Sequence, residues 1–571
     1  MKYIILCGGI GKRCSGYSLP KPLNYVHGKH MIEHVIQNIP SSEIYIIYNI
    51  YLDKYNFQEI IINKFKEHTF HFSKVDYLTR GAVETAYVGI QSFDIPSDES
   101  IVFMDNDNMC TFSKEFIDNP MKNEFIGYGI DYTKTNYSFI VIDKDTNHIT
   151  DIAEKVKISD NYCCGVYGFA SVESFMMTAK EMLYKNSKTK NEFYFSQLYW
   201  NKIQNREVIL SEGRMPSTTN SEGGKATGGV LPVLMESAIH IGSYDEITSQ
   251  QSKVEKTPLR ICFDLDNTLV TYPTVPGDYT SVKPISEMIQ LLNKLKGEGH
   301  EIIIHTTRSV KTHATITIQT LEQYNIPYDE LIFGKPMADI YVNDRAMNPY
   351  INHISQFGLF YDEPEFIPNK ISNKINKNTI ERKGDVIYKT GPIESMKGEL
   401  FYYQNIPPQF SHYFPKLIGH TNIDDKIQLE LEFINGIPLY YLYKNKLITE
   451  KMIHDLVDIL HKFHSISDIT SELIPIENVP MIHGDFGFSN IIMTYNDEYK
   501  LIDMRGHVDG ILTIHGDKYD DYGKLYQSIM GYDLILNGET LDEEYMDLLK
   551  TIYLEKCKYM GVNLDYLFES Y

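Results

Sequence analysis

Five short apolar runs constrain the fold most. Residues 3–6, 44–48, 101–104, 261–263 and 302–304 are nearly all Ile, Leu, Val, Tyr, Phe or Met, and each leads into small, polar or acidic residues. Helical patterns lie between them. Strands buried on both faces of a parallel sheet read as such runs, and open α/β sheets bind ligands beyond the carboxyl ends of their strands. The expected fold class is therefore α/β and multidomain, with its chemistry at strand ends.

At 571 residues the chain has room for about three or four domains of roughly 150 residues. Two polar stretches, TSQQSKVEKTP at 248–258 and PNKISNKINKNTIERK at 368–383, read as linkers. They divide the chain into 1–247, 258–366 and 380–571. The net charge of -22 argues against nucleic-acid binding, which depends on Lys and Arg neutralising phosphates. The seven cysteines include no C-x-x-C pair, which suits reduced thiols in cytosol and gives no zinc site. No segment approaches the ~20 apolar residues of a membrane span, so the expected location is cytoplasmic. The sequence does not fix an oligomeric state.

In the first segment Gly8, Gly9 and Gly11 follow an apolar run, so backbone N–H groups there can approach phosphate oxygens closely. A dinucleotide-binding turn would need G-x-G-x-x-G and an acid about twenty residues on. Instead the cations Arg13 and Lys21 follow, which suits a triphosphate whose leaving pyrophosphate must be neutralised. The glycine-rich stretch at 223–227 is no P-loop, because position 219 is Thr and Lys225 is followed by Ala.

The pattern G-G-x-G-x-R followed by P-K-P-L resembles the sugar-phosphate and choline-phosphate nucleotidylyltransferases, and further likenesses follow in order over about 240 residues. Residues 80–86, RGAVETA, resemble the family's nucleotide-base loop, which implies Gly81, Glu84 and Thr85 as nucleotide-binding. Residues 103–108, FMDNDN, resemble its strand-end metal aspartate, with Asp107 the first choice for Mg²⁺ and Asp105 next. The Glu154-Lys155 and Cys164-Gly165-Val166-Tyr167 elements resemble those near the acceptor phosphate, implying a catalytic Lys155. The family often closes with D-x-G-T; here the stretch is His240-Ile241-Gly242-Ser243, and a second metal carboxylate is unplaced.

The second segment contains ICFDLDNTL at 261–269. Asp264 and Asp266 lie two apart at a strand end, where both can face one Mg²⁺. This D-x-D-x-T pattern resembles the haloacid-dehalogenase superfamily of phosphohydrolases. The resemblance implies that Asp264 attacks phosphorus and that Asp266 protonates the leaving oxygen and then activates water. Thr306 and Lys335 would bind the phosphoryl oxygens, and Asp344 would help hold Mg²⁺. Asn343 stands where the family commonly has a second acid. Only 80 residues separate Asp264 from Asp344, so this domain is expected to lack a large cap.

The third segment contains MIHGDFGFSNIIMTYNDEYKLIDMRG at 481–506. The H-G-D-x-x-x-x-N run with a downstream I-D resembles the aminoglycoside phosphotransferase and choline kinase group, which has protein-kinase-like α+β architecture. The likeness implies that Asp485 receives the substrate hydroxyl proton, while Asn490 and Asp503 hold Mg²⁺ on ATP. Residues 386–389, VIYK, resemble the strand carrying the phosphate-binding lysine, Lys389, with Glu399 as its helix partner. Residues 431–436 resemble the hinge where adenine binds.

Together the resemblances imply a Rossmann-like nucleotidyltransferase sheet, a capless haloacid-dehalogenase-like domain and a kinase-like domain. The substrates expected are small-molecule phosphate esters, ATP and a second nucleoside triphosphate, CTP being favoured, with Mg²⁺ as cofactor. A kinase and a phosphatase acting on one position would only consume ATP, so they are expected to act on different positions or compounds. The alternatives are a CDP-choline or CDP-ethanolamine type of route, nucleic-acid end repair, and a scaffold with decayed sites.

Overall fold

Strand β1 (Lys2–Cys7) is buried along almost its whole length and lies between two parallel neighbours. In this computed structural model, which describes residues 1–9, 20–26, 29–211, 229–241, 258–275, 277–297, 299–337, 378–465 and 480–569, those neighbours are β2 (Glu43–Asn49) and β4 (Ile101–Asp105). Strand β3 (Thr69–Val75) adds parallel to β2 and is partly exposed, as an edge strand should be. The resulting order, β3–β2–β1–β4, is the 3-2-1-4 order of doubly wound sheets. Helix α1 (Ala82–Ile90) lies in the connection from β3 to β4 and buries Val83, Ala86 and Ile90. Parallel pairing sets Leu6 opposite Asp105, so the glycine turn after β1 and the acids after β4 emerge from the same edge.

Beyond β4 the sheet becomes mixed. Strands β5 (Phe125–Ile130), β6 (Ser138–Asp143), β7 (His148–Glu154), β8 (Asn161–Phe169) and β9 (Leu231–Leu234) bring it to nine strands. Of these, β8 pairs antiparallel with β4.

A second sheet is parallel and in sequence order: β10 (Arg260–Phe263), β11 (Glu301–Thr306) and β12 (Glu330–Phe333). Parallel neighbours need crossover connections, and helices α2 (Ser286–Gly297) and α3 (Val310–Gln323) lie in them. Leu292, Leu295, Ile302, Ile304 and Leu321 form part of its core.

The third unit has two parts. One is the antiparallel sheet β13 (Thr379–Lys383), β14 (Val386–Pro392), β16 (Lys426–Glu432) and β15 (Leu417–Ile423), in that spatial order, with helix α4 (Ile393–Asn405) against it. Strand β13 occupies the end of the stretch whose composition reads as linker; its TIERK alternates partly buried and exposed residues along an edge. The other part joins the small sheet β17 (Gly436–Pro438), β18 (Ile491–Thr494) and β19 (Tyr499–Leu501) to helices. These include α5 (Leu439–Lys444), α6 (Glu450–His464), α7 (Lys518–Ile529) and α8 (Glu543–Tyr559). Helix α6 buries Met452, Ile453, Leu456, Val457, Leu460 and Phe463 at three- and four-residue spacing, the stripe that faces a core.

The first and third units are not merely tethered, because one apolar core runs through both. The rings of Tyr77 and Tyr441 stack at 5.3 Å. Beside them Tyr495 Oη donates to the Leu78 carbonyl at 2.7 Å, and Lys444 Nζ reaches Asp76 at 2.6 Å. Asn186 Nδ2 donates to Asp497 at 2.8 Å. Among the described residues no helix is long and apolar enough to cross a membrane.

Candidate active sites

At the carboxyl edge of the first sheet, Asp107 is almost fully buried and forms an ion pair with Lys21. Lys21 arrives on a short turn, Lys21–Leu23, placed by Pro20 and Pro22. His240 ends a strand, Ser237–His240, that pairs with Asn108–Thr111. Its Nε2 lies 3.8 Å from Asp107, and its Nδ1 lies 2.6 Å from Asn108 Oδ1. The position where the resemblance suggests a second acid thus places an imidazole against Asp107. Asn108 Nδ2 lies 3.4 Å from both Asp105 Oδ2 and Asp107 Oδ1. Gly165, with φ +75, lets β8 approach this cluster: a Cβ there would sit 2.4 Å from Asp105 Oδ2 and Asn108 Nδ2.

Residues 80–86 reach the same edge. A Cβ on Gly8 would lie 2.5 Å from Thr85 Oγ1, so the glycine turn and Thr85 touch. Gly81 has φ +143, and a Cβ there would meet the Phe193 backbone at 2.6 Å. Glu84 is fully enclosed. It accepts from Arg80 Nε at 2.9 Å, Arg80 Nη2 at 3.0 Å, the Arg80 backbone at 2.6 Å and Tyr77 Oη at 2.9 Å. Its carboxylate therefore ties the loop together through Arg80 and Tyr77. Glu84→Ala would leave Arg80 charged and unpaired in the interior, at a cost of about 3–5 kcal/mol. Urea denaturation should show that loss; a near-neutral Glu84→Ala would return the residue to a ligand-contacting role.

Lys155 Nζ donates to Tyr194 Oη at 2.8 Å, and its backbone N–H bonds the Tyr137 carbonyl at 3.0 Å. The Tyr137 ring packs edge-on against His240 at 5.5 Å. Lys155 thus adjoins the Asp107 cluster through its backbone, by way of Tyr137 and His240, while its ammonium group meets Tyr194. Gly9 is described and exposed, whereas Gly11 and Arg13 lie outside the described residues, as do residues 223–227.

In the second unit, β10 and β11 place Asp264 and Thr306 at one edge, and β12 leads to Lys335. Lys335 Nζ lies 3.4 Å from Asp264 Oδ1, and its backbone N–H donates to the Thr306 carbonyl at 2.9 Å. Asp266 is held by a residue the sequence reading passes over. Arg308 grips both of its oxygens, Nη2 at 2.6 Å from Oδ1 and Nε at 2.9 Å from Oδ2. The Arg308 guanidinium is buried, bonds Thr317 at 3.2 Å and lies 4.0 Å from the Tyr279 ring centre. The available signal was its place two residues after Thr306, in the same strand-end turn. Asn343 and Asp344 lie outside the described residues.

The third unit holds a cavity of about 720 Å³ between its two parts, within the size range of small-molecule sites. From the antiparallel sheet and α4 come Lys389 and Glu399, joined at 2.5 Å, and Lys389 also pairs with Asp503. Burial opposes the charge on Lys389, but the two carboxylates outweigh it and its pKa rises. Burial likewise pushes Glu399 up, to about 6, against the pull of Lys389. Across the cavity, Asn490 Nδ2 donates to the Asp485 carboxylate and carbonyl, both at 3.0 Å. His483 is fully buried, and burial holds its pKa below the usual value. The ring is therefore neutral at neutral pH, and its Nδ1 accepts from the Asp485 backbone N–H at 3.3 Å.

Asp521 is a second residue the sequence reading missed, lying one position beyond Asp520 at the start of α7. It is buried and accepts the backbone N–H groups of His483 at 2.9 Å and Gly484 at 2.8 Å. Asp521 thus fixes the loop that presents Asp485.

The donors at these sites are hard oxygens: Asp105 and Asp107, Asp264 and Asp266, Asn490 and Asp503. Such a set suits Mg²⁺. No cluster of three or more His, Cys, Asp or Glu converges as a metal site among the described residues, so phosphate oxygens or water would complete each shell.

The chain matches no protein-family model and no curated protein sequence. Among solved structures it is similar to a nucleoside-diphosphate-sugar pyrophosphorylase from Vibrio cholerae RC9, at 19% identity over 44% of this chain and 100% of that one, with a TM-score of 0.36. It is also similar to HddC from Yersinia pseudotuberculosis complexed with GMP-PN, at 16% identity over 45% of this chain and 100% of that one, with a TM-score of 0.31. A structural-genomics target from Vibrio cholerae is 33% identical over 16% of this chain and 85% of its own, with a TM-score of 0.14.

Proposed function

We propose that the chain is a three-site enzyme that makes a nucleoside-diphosphate-activated small alcohol or sugar, using ATP and a second nucleoside triphosphate, CTP being favoured. The observation that carries this reading occurs three times. Within two residues of a strand's carboxyl end an aspartate meets a lysine: Asp107 with Lys21, Asp264 with Lys335, and Asp503 with Lys389. A lysine there can hold phosphoryl oxygens while the carboxylates beside it handle metal, nucleophile or proton.

In the third unit Asp485 takes the alcohol's proton as its oxygen bonds to the γ-phosphorus and the bond to the ADP oxygen breaks. Lys389, held by Glu399, steadies the nucleotide phosphates. In the first unit a phosphate-ester oxygen attacks the α-phosphorus and pyrophosphate leaves, its charge met by Lys21 and Arg13. In the second unit an Asp264 oxygen bonds to phosphorus while the departing alkoxide takes a proton from Asp266, whose pair with Arg308 must open for it to carry that proton; water then releases phosphate from Asp264. Mg²⁺ bound at the oxygen donors would spread charge over the phosphoryl oxygens in each reaction. Phosphorylation and phosphate removal act at different positions, so ATP is not cycled. Joining the sites raises the local concentration of intermediates, on the order of mM for short tethers.

Mass spectrometry of products tests the scheme, with ATP, CTP or other nucleoside triphosphates, Mg²⁺ and a panel of polyols and amino alcohols. With phosphate monoesters of the polyols added to the panel, the expected products are ADP, pyrophosphate, phosphate and a nucleoside-diphosphate ester. Phosphate release should vanish in Asp264→Asn while ADP and pyrophosphate still form. Phosphate release that persists in that variant removes Asp264 as the nucleophile.

A further inference from the structure

The end of the third unit's cavity where an acceptor alcohol must approach Asp485 carries two cations, Lys524 and Arg505, beside its acids. Lys524, on α7, lies 3.4 Å from Asp485 Oδ1, and its side chain is largely covered. Arg505 lines the same cavity. Two further acids lie near these cations: Asp520, one turn before Lys524 on α7, faces both of them, and Asp533 is engaged by hydroxyls, Ser528 Oγ donating to it at 3.0 Å and the Ser489 hydroxyl also bonding it. Ser528 in turn accepts from the Phe488 backbone N–H at 3.0 Å, so Asp533 braces the catalytic loop.

A quaternary ammonium group is recognised by aromatic faces. Tyr532 is the one Phe, Tyr or Trp lining this cavity among the described residues, and Lys524 Nζ already sits 5.9 Å from its ring centre. A cationic head group would meet Lys524 at that ring and be repelled. An oxyanion would instead find Lys524 and Arg505 as partners, and its attraction to them would set its hydroxyl beside Asp485.

We propose that the alcohol phosphorylated in this cavity carries an oxyanion, a carboxylate or a phosphate, held by Lys524 with Arg505. This rests on the kinase reading of the third unit, and it separates that reading from an amino-alcohol kinase.

The test uses the full chain with ATP and Mg²⁺, following ADP with matched acceptors: glycerol, glycerate, glycerol 3-phosphate, ethanolamine and choline. The two anions are expected to exceed glycerol at least tenfold in kcat/KM, with the amines below it; the carboxylate and phosphate arms identify the oxyanion. Lys524→Met should bring anionic and neutral acceptors to similar kcat/KM, mainly by raising KM for the anion, and Lys524→Arg should restore most of the preference. The assignment is overturned if choline or ethanolamine is the best acceptor, or if the anion preference survives Lys524→Met. It is also overturned if that variant lowers kcat equally for every acceptor, since Lys524 would then serve the transferring phosphoryl group. Absence of ADP formation with every acceptor overturns the kinase reading itself, a result distinct from amine preference.

Discussion

Replacing Asp485 by Asn is expected to lower ADP formation by about 10³-fold, within the range for loss of a positioned general base, with KM for ATP changed little. The side chain is 44% exposed and lies at the cavity wall, so the isosteric amide preserves its size and most of its packing. What it removes is the oxygen proposed to accept the hydroxyl proton. The loop carrying it is fixed independently of that carboxylate: Asp521 binds the backbone at His483 and Gly484, and His483 Nδ1 takes the Asp485 N–H. An unchanged thermal midpoint with a lost kcat is therefore the expected pair of results. Full turnover in Asp485→Asn would remove this residue from proton transfer.

The same loop shows what the sequence conveys and what it does not. H-G-D-x-x-x-x-N points to Asp485 and Asn490 through its resemblance to the kinase group, and residues five apart on one loop can meet without help from distant chain. Asp521 is 36 residues beyond Asp485 and reaches the loop only through the packing of α7. Nothing in its neighbours, Tyr519-Asp520-Asp521-Tyr522, distinguishes it from the acids of an ordinary helix start. Lys524 is hidden for the same reason. Arg308 stood closer to view, two residues after Thr306, but its grip on Asp266 depends on β10 and β11 being parallel neighbours.

The apolar runs announced the sheets because buried strands leave a continuous pattern. The union of the first and third units left none. Tyr77 and Tyr441 read as ordinary core or surface aromatics, and periodicity shows that a face is apolar without naming what covers it. Glu84 is a related case: its place in a base-loop pattern suggests ligand contact, and the pattern gives no sign that Arg80 and Tyr77 surround its carboxylate.

Replacing Asp107 by Asn is expected to lower pyrophosphate release at least 10³-fold while leaving ADP formation intact. Two contributions combine at this residue. It is an oxygen donor proposed to hold Mg²⁺ on the triphosphate, and it pairs with Lys21, whose charge is proposed to meet the leaving pyrophosphate. An amide of the same shape keeps the packing near Asn108 and His240 but removes the charge that holds Lys21 in place. Removing one partner of a buried pair also leaves the other uncompensated, so some loss of stability accompanies the loss of turnover. Here that penalty is limited, because Lys21 retains 15% side-chain exposure and can turn toward solvent. Pyrophosphate assays alongside ADP assays on the same preparation separate the two effects. A folding defect would lower both activities, since one apolar core joins the first and third units, whereas a local loss of charge lowers pyrophosphate release alone. Retained pyrophosphate release in Asp107→Asn would move the metal-binding role to Asp105, which faces the same Asn108 amide at 3.4 Å.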